Sequence, residues 1–86
     1  MLKNILDAFP EAPFIVLDGL DKAVIGCRFI NEQSHLEYSF EKIIEILCSR
    51  DGMTYEEAVE FYYFNIEGLG GMKNMPIFYH EDDELE

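Results

Sequence analysis

Two histidines, His35 and His80, and two cysteines, Cys27 and Cys48, have the widest chemical range in this chain. Acid–base work needs an imidazole beside a carboxylate or hydroxyl, and nucleophilic work needs a thiol or hydroxyl beside a base. Neither histidine stands in an H-E-x-x-H or H-x-E spacing, which would set ligands or a base on one turn. In "HLEYSF", His35 alternates with Leu36, Tyr38 and Phe40 onto the polar side, so a solvated imidazole is expected there, and the same for His80. Ser34, Ser39 and Ser49 lack the G-x-S-x-G surroundings of an exposed nucleophile. The cysteines are 21 positions apart with no C-x-x-C spacing, which argues against zinc and for two reduced, half-buried thiols. Acid pairs such as Glu56 with Glu60, or Asp82 with Asp83, are of the type that holds Mg²⁺ or Ca²⁺, but no D-x-D-x-D-G loop frames them. A solvated charged face is the expected role. No catalytic residue, no metal and no cofactor is expected, and the chain does not read as an enzyme.

The stretch "NIEGLGGMKNMP", Asn65 to Pro76, gathers Gly68, Gly70, Gly71 and Pro76. A phosphate-binding loop has a strand before it and a helix N-terminus after it, so that backbone N–H groups and the helix dipole meet the anion. Here the order is reversed, Lys73 is the only nearby cation and Glu67 adjoins the loop. A joint is expected instead. Gly68 is expected at positive φ, closing a helix, with the other glycines, Gly71 among them, reversing the chain toward a sheet. Asn65 is placed to cap the last helical carbonyls or a loop amide, and Pro76 suits the start of a strand.

The elements around these residues follow from periodicity. "LKNILDAF" spaces Leu2, Ile5, Leu6 and Phe9 as a short helix, stopped by Pro10 and Pro13. "FIVL", Phe14 to Leu17, predicts a short strand. "AVIGCRFI", Ala23 to Ile30, predicts a better one, with Gly26 marking a bulge or a close neighbour. "NEQS" reads as a four-residue loop before the alternating strand "HLEYSF", which makes a hairpin. From Phe40 the period changes: Ile43, Ile44, Leu47 and Cys48 form one helical stripe that Gly52 closes. Thr54 and Glu57 then form a capping box, with Glu56 and Glu57 in the first turn where the dipole favours acids. The helix over residues 55–66 sets Tyr55, Ala58, Val59, Tyr62 and Ile66 on one face, Phe61 and Phe64 to one side and Tyr63 to the other. "PIFYH" reads as a last strand. The expected architecture is α+β: a small antiparallel sheet of three to four strands, packed on one face by two antiparallel helices. Residues 1–80 form a single domain and 81–86 an acidic flexible tail.

The "MTYEEAVEFYYFNIEGLGGMKNMPIFY" stretch resembles a group of small proteins of unassigned function encoded by tailed bacteriophages. Met53, Thr54, Glu56, Glu57, Ala58, Asn65, Gly68, Gly71, Pro76, Ile77 and Phe78 carry the resemblance, and "LDKAVIGC" with a Tyr-containing strand extends it over residues 18–79. Met75 departs from it, since such proteins usually have Thr there. The resemblance implies a viral protein made in the cytoplasm of a host bacterium.

Eighteen acids oppose six bases, a net charge of −12. Residues 81–86 hold five of the acids, leaving thirteen against six over residues 1–80. Such a body is repelled by phosphates, so no direct nucleic-acid binding is expected. "MLKNILDAFPEAPF" meets charge and proline too early for a signal peptide, and no run approaches the ~20 apolar residues of a membrane span. The expected function is non-catalytic binding to a host or phage protein, modulating or inhibiting it. The candidate surface is Glu56, Glu60, Phe61, Tyr63 and Phe64, aromatic anchors beside acids. Two alternatives stand beside it: a nucleic-acid mimic whose acids block a DNA- or RNA-binding protein, and a structural or oligomerising accessory protein. A homodimer, built by this helix or by an edge strand, fits either docking mode.

Overall fold

The structure is a computed structural model that describes residues 1–69 and 71–80; the expected tail over 81–86 lies outside the described residues. Helix α1 (Leu2–Ala8) is followed by strands β1 (Val24–Ile30) and β2 (Gln33–Ser39), helices α2 (Phe40–Asp51) and α3 (Tyr55–Asn65), and strand β3 (Ile77–Tyr79). One-turn 3-10 helices stand at Asp21–Ala23 and Glu67–Leu69. The protein is an α+β domain with a three-stranded sheet, order β1-β2-β3, and helices packed against it.

The hairpin turns in two residues, not four: Asn31 and Glu32 both take positive φ, 48° and 67°. That mirror-image turn matches the strand twist, so pairing runs on to Ile30 and Gln33. The bulge expected near Gly26 is present, as a register slip between Val24 and Gly26. The Glu37 carboxylate lies across Gly26, where a Cβ would stand 2.6 Å from Oε1. It is held there by the Tyr79 hydroxyl, which donates at 2.6 Å, and by Arg28 at 3.4 Å.

Two expectations are corrected. Phe14–Leu17 is not a strand. Its donors are spent elsewhere: Phe14 N–H goes to the Ala12 carbonyl (2.9 Å) and Leu17 N–H to the Tyr38 hydroxyl (2.9 Å). The third strand is β3, and it runs parallel to β2, so the sheet is mixed rather than antiparallel. A parallel neighbour needs a long crossover, which residues 40–76 with both helices supply.

The core lies between sheet and helices. Leu36 and Tyr38 from β2 meet Ile43, Ile44 and Leu47 from α2, and Ala58, Tyr62 and Ile66 along and just beyond α3. The stripe expected on α2 is therefore the face that packs. Ser39 caps it by accepting from Lys42 N–H (3.2 Å), and Gly52 closes it at φ 71°. Among the described residues no helix is long and apolar enough to cross a membrane.

Candidate functional site

Helix α3 is built as the capping box requires. Thr54 Oγ1 accepts from Glu57 N–H (3.2 Å), and Glu57 Oε1 accepts from Thr54 N–H (2.9 Å). Two otherwise orphaned donors are thereby satisfied. Ala58, Tyr62 and Ile66, four apart, point into the core and fix the helix's rotation. Val59 is partly buried beside them. Tyr55, expected on the same face, is 61% exposed. It stands at the first turn and borders a shallow groove with Phe40, Ile44 and Cys48 instead of entering the core.

At ~100° per residue, Phe64 falls about half a turn from the buried line, and it is 84% exposed. Glu57 and Glu60 flank it, and Glu56 lies further along the same side; all three are exposed. Phe61 (39% exposed) and Tyr63 (48%) sit on opposite shoulders. The structure thus exposes all five predicted surface residues but makes a ridge of them, not a flat patch. Phe64 is the crest with acids beside it. The Phe61 shoulder faces a cleft bordered by Leu17, Leu47, Arg50 and Asn65. The Tyr63 shoulder joins a ring cluster with Phe40, Tyr62 and His80.

That cluster corrects the expectation for His80. Its ring stacks on Phe40, centroids 4.4 Å apart at 15°. Its Nε2 lies 3.0 Å from Glu67 Oε2 and 3.2 Å from the Tyr62 hydroxyl. Burial, and then the nearby Glu67 carboxylate, push the Tyr62 pKa up. Strand β3 delivers His80 to rings that come from α2 and α3, a meeting no local spacing announces. Both neighbours converge on one ring nitrogen, which lacks the nucleophile–base–orienter order that covalent catalysis uses. His35 is corrected as well: it is partly buried, with Nδ1 2.7 Å from the Met75 carbonyl. A carbonyl only accepts, so Nδ1 carries the proton. No group of three or more His, Cys, Asp or Glu able to hold a metal stands among the described residues.

The glycine segment is a joint, but not by the expected device. Helix α3 passes through Ile66 into the 3-10 turn, and Gly68 does not have positive φ. Gly68 is needed for close approach: a Cβ there would stand 2.8 Å from the Tyr63 carbonyl oxygen. The positive φ falls on Gly71 (93°) and Asn74 (62°). Asn65 Nδ2 donates to the Phe61 carbonyl (3.2 Å), one of the expected roles, and Pro76 is buried at the entry to β3. Sequence reasoning missed Asn74, which pins the joint to β2. Its Oδ1 accepts from Ser34 N–H (3.1 Å), and its own N–H donates to Gln33 Oε1 (3.4 Å). The available signal was that asparagine tolerates positive φ better than most residues.

The site so defined is an aromatic, acid-flanked helix ridge on a small α+β domain. The chain matches no known family model, no curated protein and no solved structure.

Proposed function

We propose that the protein is a non-catalytic binding module that docks on another protein through the α3 ridge. One observation carries this: Phe64 holds its ring in water at the crest of a helix whose opposite face is fully committed to the core. Burying such a ring is worth about 1.5–3 kcal/mol, and an aromatic anchor inside a polar rim is the arrangement that concentrates binding energy. The resemblance to tailed-phage proteins supports a host or phage protein as the partner, modulated in the cytoplasm of a host bacterium. Affinity capture from bacterial lysate tests it, with wild type beside Phe64→Ser and Glu56→Lys/Glu60→Lys baits. A partner retained by wild type and lost by Phe64→Ser, with little response to salt, supports the proposal. A partner lost only by the charge reversal, and released steeply as salt rises, overturns it in favour of nucleic-acid mimicry.

A further inference from the structure

Among the described residues, strand β1 has a strand neighbour on one side only. Its two-residue turn makes Ile30 and Gln33 the pair that exchanges both backbone hydrogen bonds. By alternation, Arg28–His35 and Gly26–Glu37 are bonded pairs too. Cys27 and Phe29 then aim their N–H and C=O groups away from β2. Strand β2 bears this out from its own side: Ser34, opposite Phe29, sends its N–H away from β1 to Asn74. No described residue meets the outward backbone groups of Cys27 and Phe29. Helix α1 packs beside β1 without hydrogen-bonding its outward groups. Phe9 and Phe14 meet the Phe29 ring, and Leu17 reaches the Tyr38 hydroxyl, so that segment lies on the helix side of the sheet.

The edge carries two of the usual protections, the bulge at Gly26 and the Arg28 charge, but no proline. Natural edges are blunted by inward charges, prolines or covering elements. Here residues 22–31 include two cations and neither an acid nor a proline. Phe29 is 52% exposed, and Ile30 and Ile25 are exposed as well. In a chain of net charge −12, this stretch carries two cations and no acid of its own, and the carboxylate beside it is that of Glu37.

We propose that β1 pairs antiparallel with β1 of a second copy about a two-fold axis at Cys27, joining two three-stranded sheets into one of six strands. Two-fold axes at Phe29, Arg28 and Cys27 each let outward-facing residues exchange hydrogen bonds, and the one at Phe29 sets Cys27 against Asn31 of the turn, which shortens the pairing. Centring on Arg28 sets two guanidinium groups directly opposite, a destabilising like-charge pair. Centring on Cys27 sets Arg28 opposite Gly26 of the second copy, over which that copy's Glu37 carboxylate lies. Each Arg28 then meets an acid across the interface, and Phe29 faces Ile25 of the other copy. The same register makes Cys27 face Cys27 as a bonded pair. Such pairs have Cα atoms ~5.5 Å apart, within the range a disulfide spans.

Sedimentation velocity at high micromolar concentration tests this. Wild type is expected at twice the 10.0 kDa chain mass. Cys27→Pro removes an outward donor that the hairpin does not use, so the sedimenting mass should halve while far-ultraviolet circular dichroism is retained. Should that variant lose its dichroism, Arg28→Glu decides, since it sets acid against acid across the axis and should also halve the mass. Oxygen with a copper catalyst should join two Cys27 thiols, releasing two protons and two electrons to the oxidant. That dimer should persist in Cys48→Ser and vanish in Cys27→Ser. A wild-type monomer, a dimer indifferent to the β1 variants, or cross-linking through Cys48 alone overturns the proposal.

Discussion

Replacing Gly68 by alanine probes the joint that ends the proposed docking helix. The added methyl would stand 2.8 Å from the Tyr63 carbonyl oxygen, a backbone atom within α3. No rotamer change relieves such a contact, so the helix end or the 3-10 turn must move. Forcing a methyl into filled space costs about 1–3 kcal/mol, while stiffening the unfolded chain returns about 0.4–1 kcal/mol. The midpoints leave a net loss of about 1.3 kcal/mol, read as a fall in melting temperature of roughly 5–10 °C for a domain this small. Urea unfolding followed by circular dichroism measures the same quantity. Gly71→Ala is the control: its φ of 93° carries a conformational cost, but among the described residues no atom beyond its chain neighbours lies within 4 Å of its Cβ position. Both variants should lose stability. Only Gly68→Ala should also shift the His80 imidazole resonances, because Glu67 adjoins the clash and touches His80. A Gly68→Ala protein as stable as wild type, with His80 unmoved, would refute the close-approach explanation.

Thr54→Ala should cost about 0.5–2 kcal/mol by opening the capping box, measured by the same urea titration. Tyr62 holds its proton above the ordinary 10.0 because burial and Glu67 oppose ionisation. The unfolded chain releases that proton first, so stability should be level below that pH and fall as pH rises through it. In Tyr62→Phe, melting curves over the alkaline range should decline less steeply. Burial and then Glu37 raise the Cys27 thiol above its ordinary 9.0. Labelling of Cys27 in a Cys48→Ser background should therefore accelerate only in more alkaline solution, and Glu37→Gln should lower that onset. Phe64→Ser should change folding stability by less than about 0.5 kcal/mol, since the ring is 84% exposed.

What the sequence makes legible here is what neighbours along the chain decide. The α2 stripe, the Thr54–Glu57 box, the Gly52 closure and the bulge at Gly26 depend on residues a few positions apart, and each is present. The exposure of Phe64 follows in the same way, because Ala58, Tyr62 and Ile66 leave it nowhere else to point. Long-range choices were not legible. Phe14–Leu17 has the composition of a strand, yet its fate turns on the Tyr38 hydroxyl, 21 residues from Leu17. The direction of β3 depends on how two helices and the joint return the chain, which alternation within "PIFYH" does not encode. His80 is drawn in by Phe40 and Tyr62, and His35 by Met75, all delivered by the crossover. Gly68 shows the finer limit: glycine was foreseen at the joint, but whether it serves a positive φ or a close approach depends on how the helix end winds.

The claim that α3 docks through its crest meets its most direct test in side-by-side affinity capture. Wild-type and Phe64→Ser baits of equal melting temperature are presented to the same lysate, and bound proteins are quantified by mass spectrometry. The account predicts one partner held by wild type, and held at least about 30-fold more weakly by Phe64→Ser, the ~2 kcal/mol of an aromatic hot spot. Equal retention of that partner by both baits would contradict it.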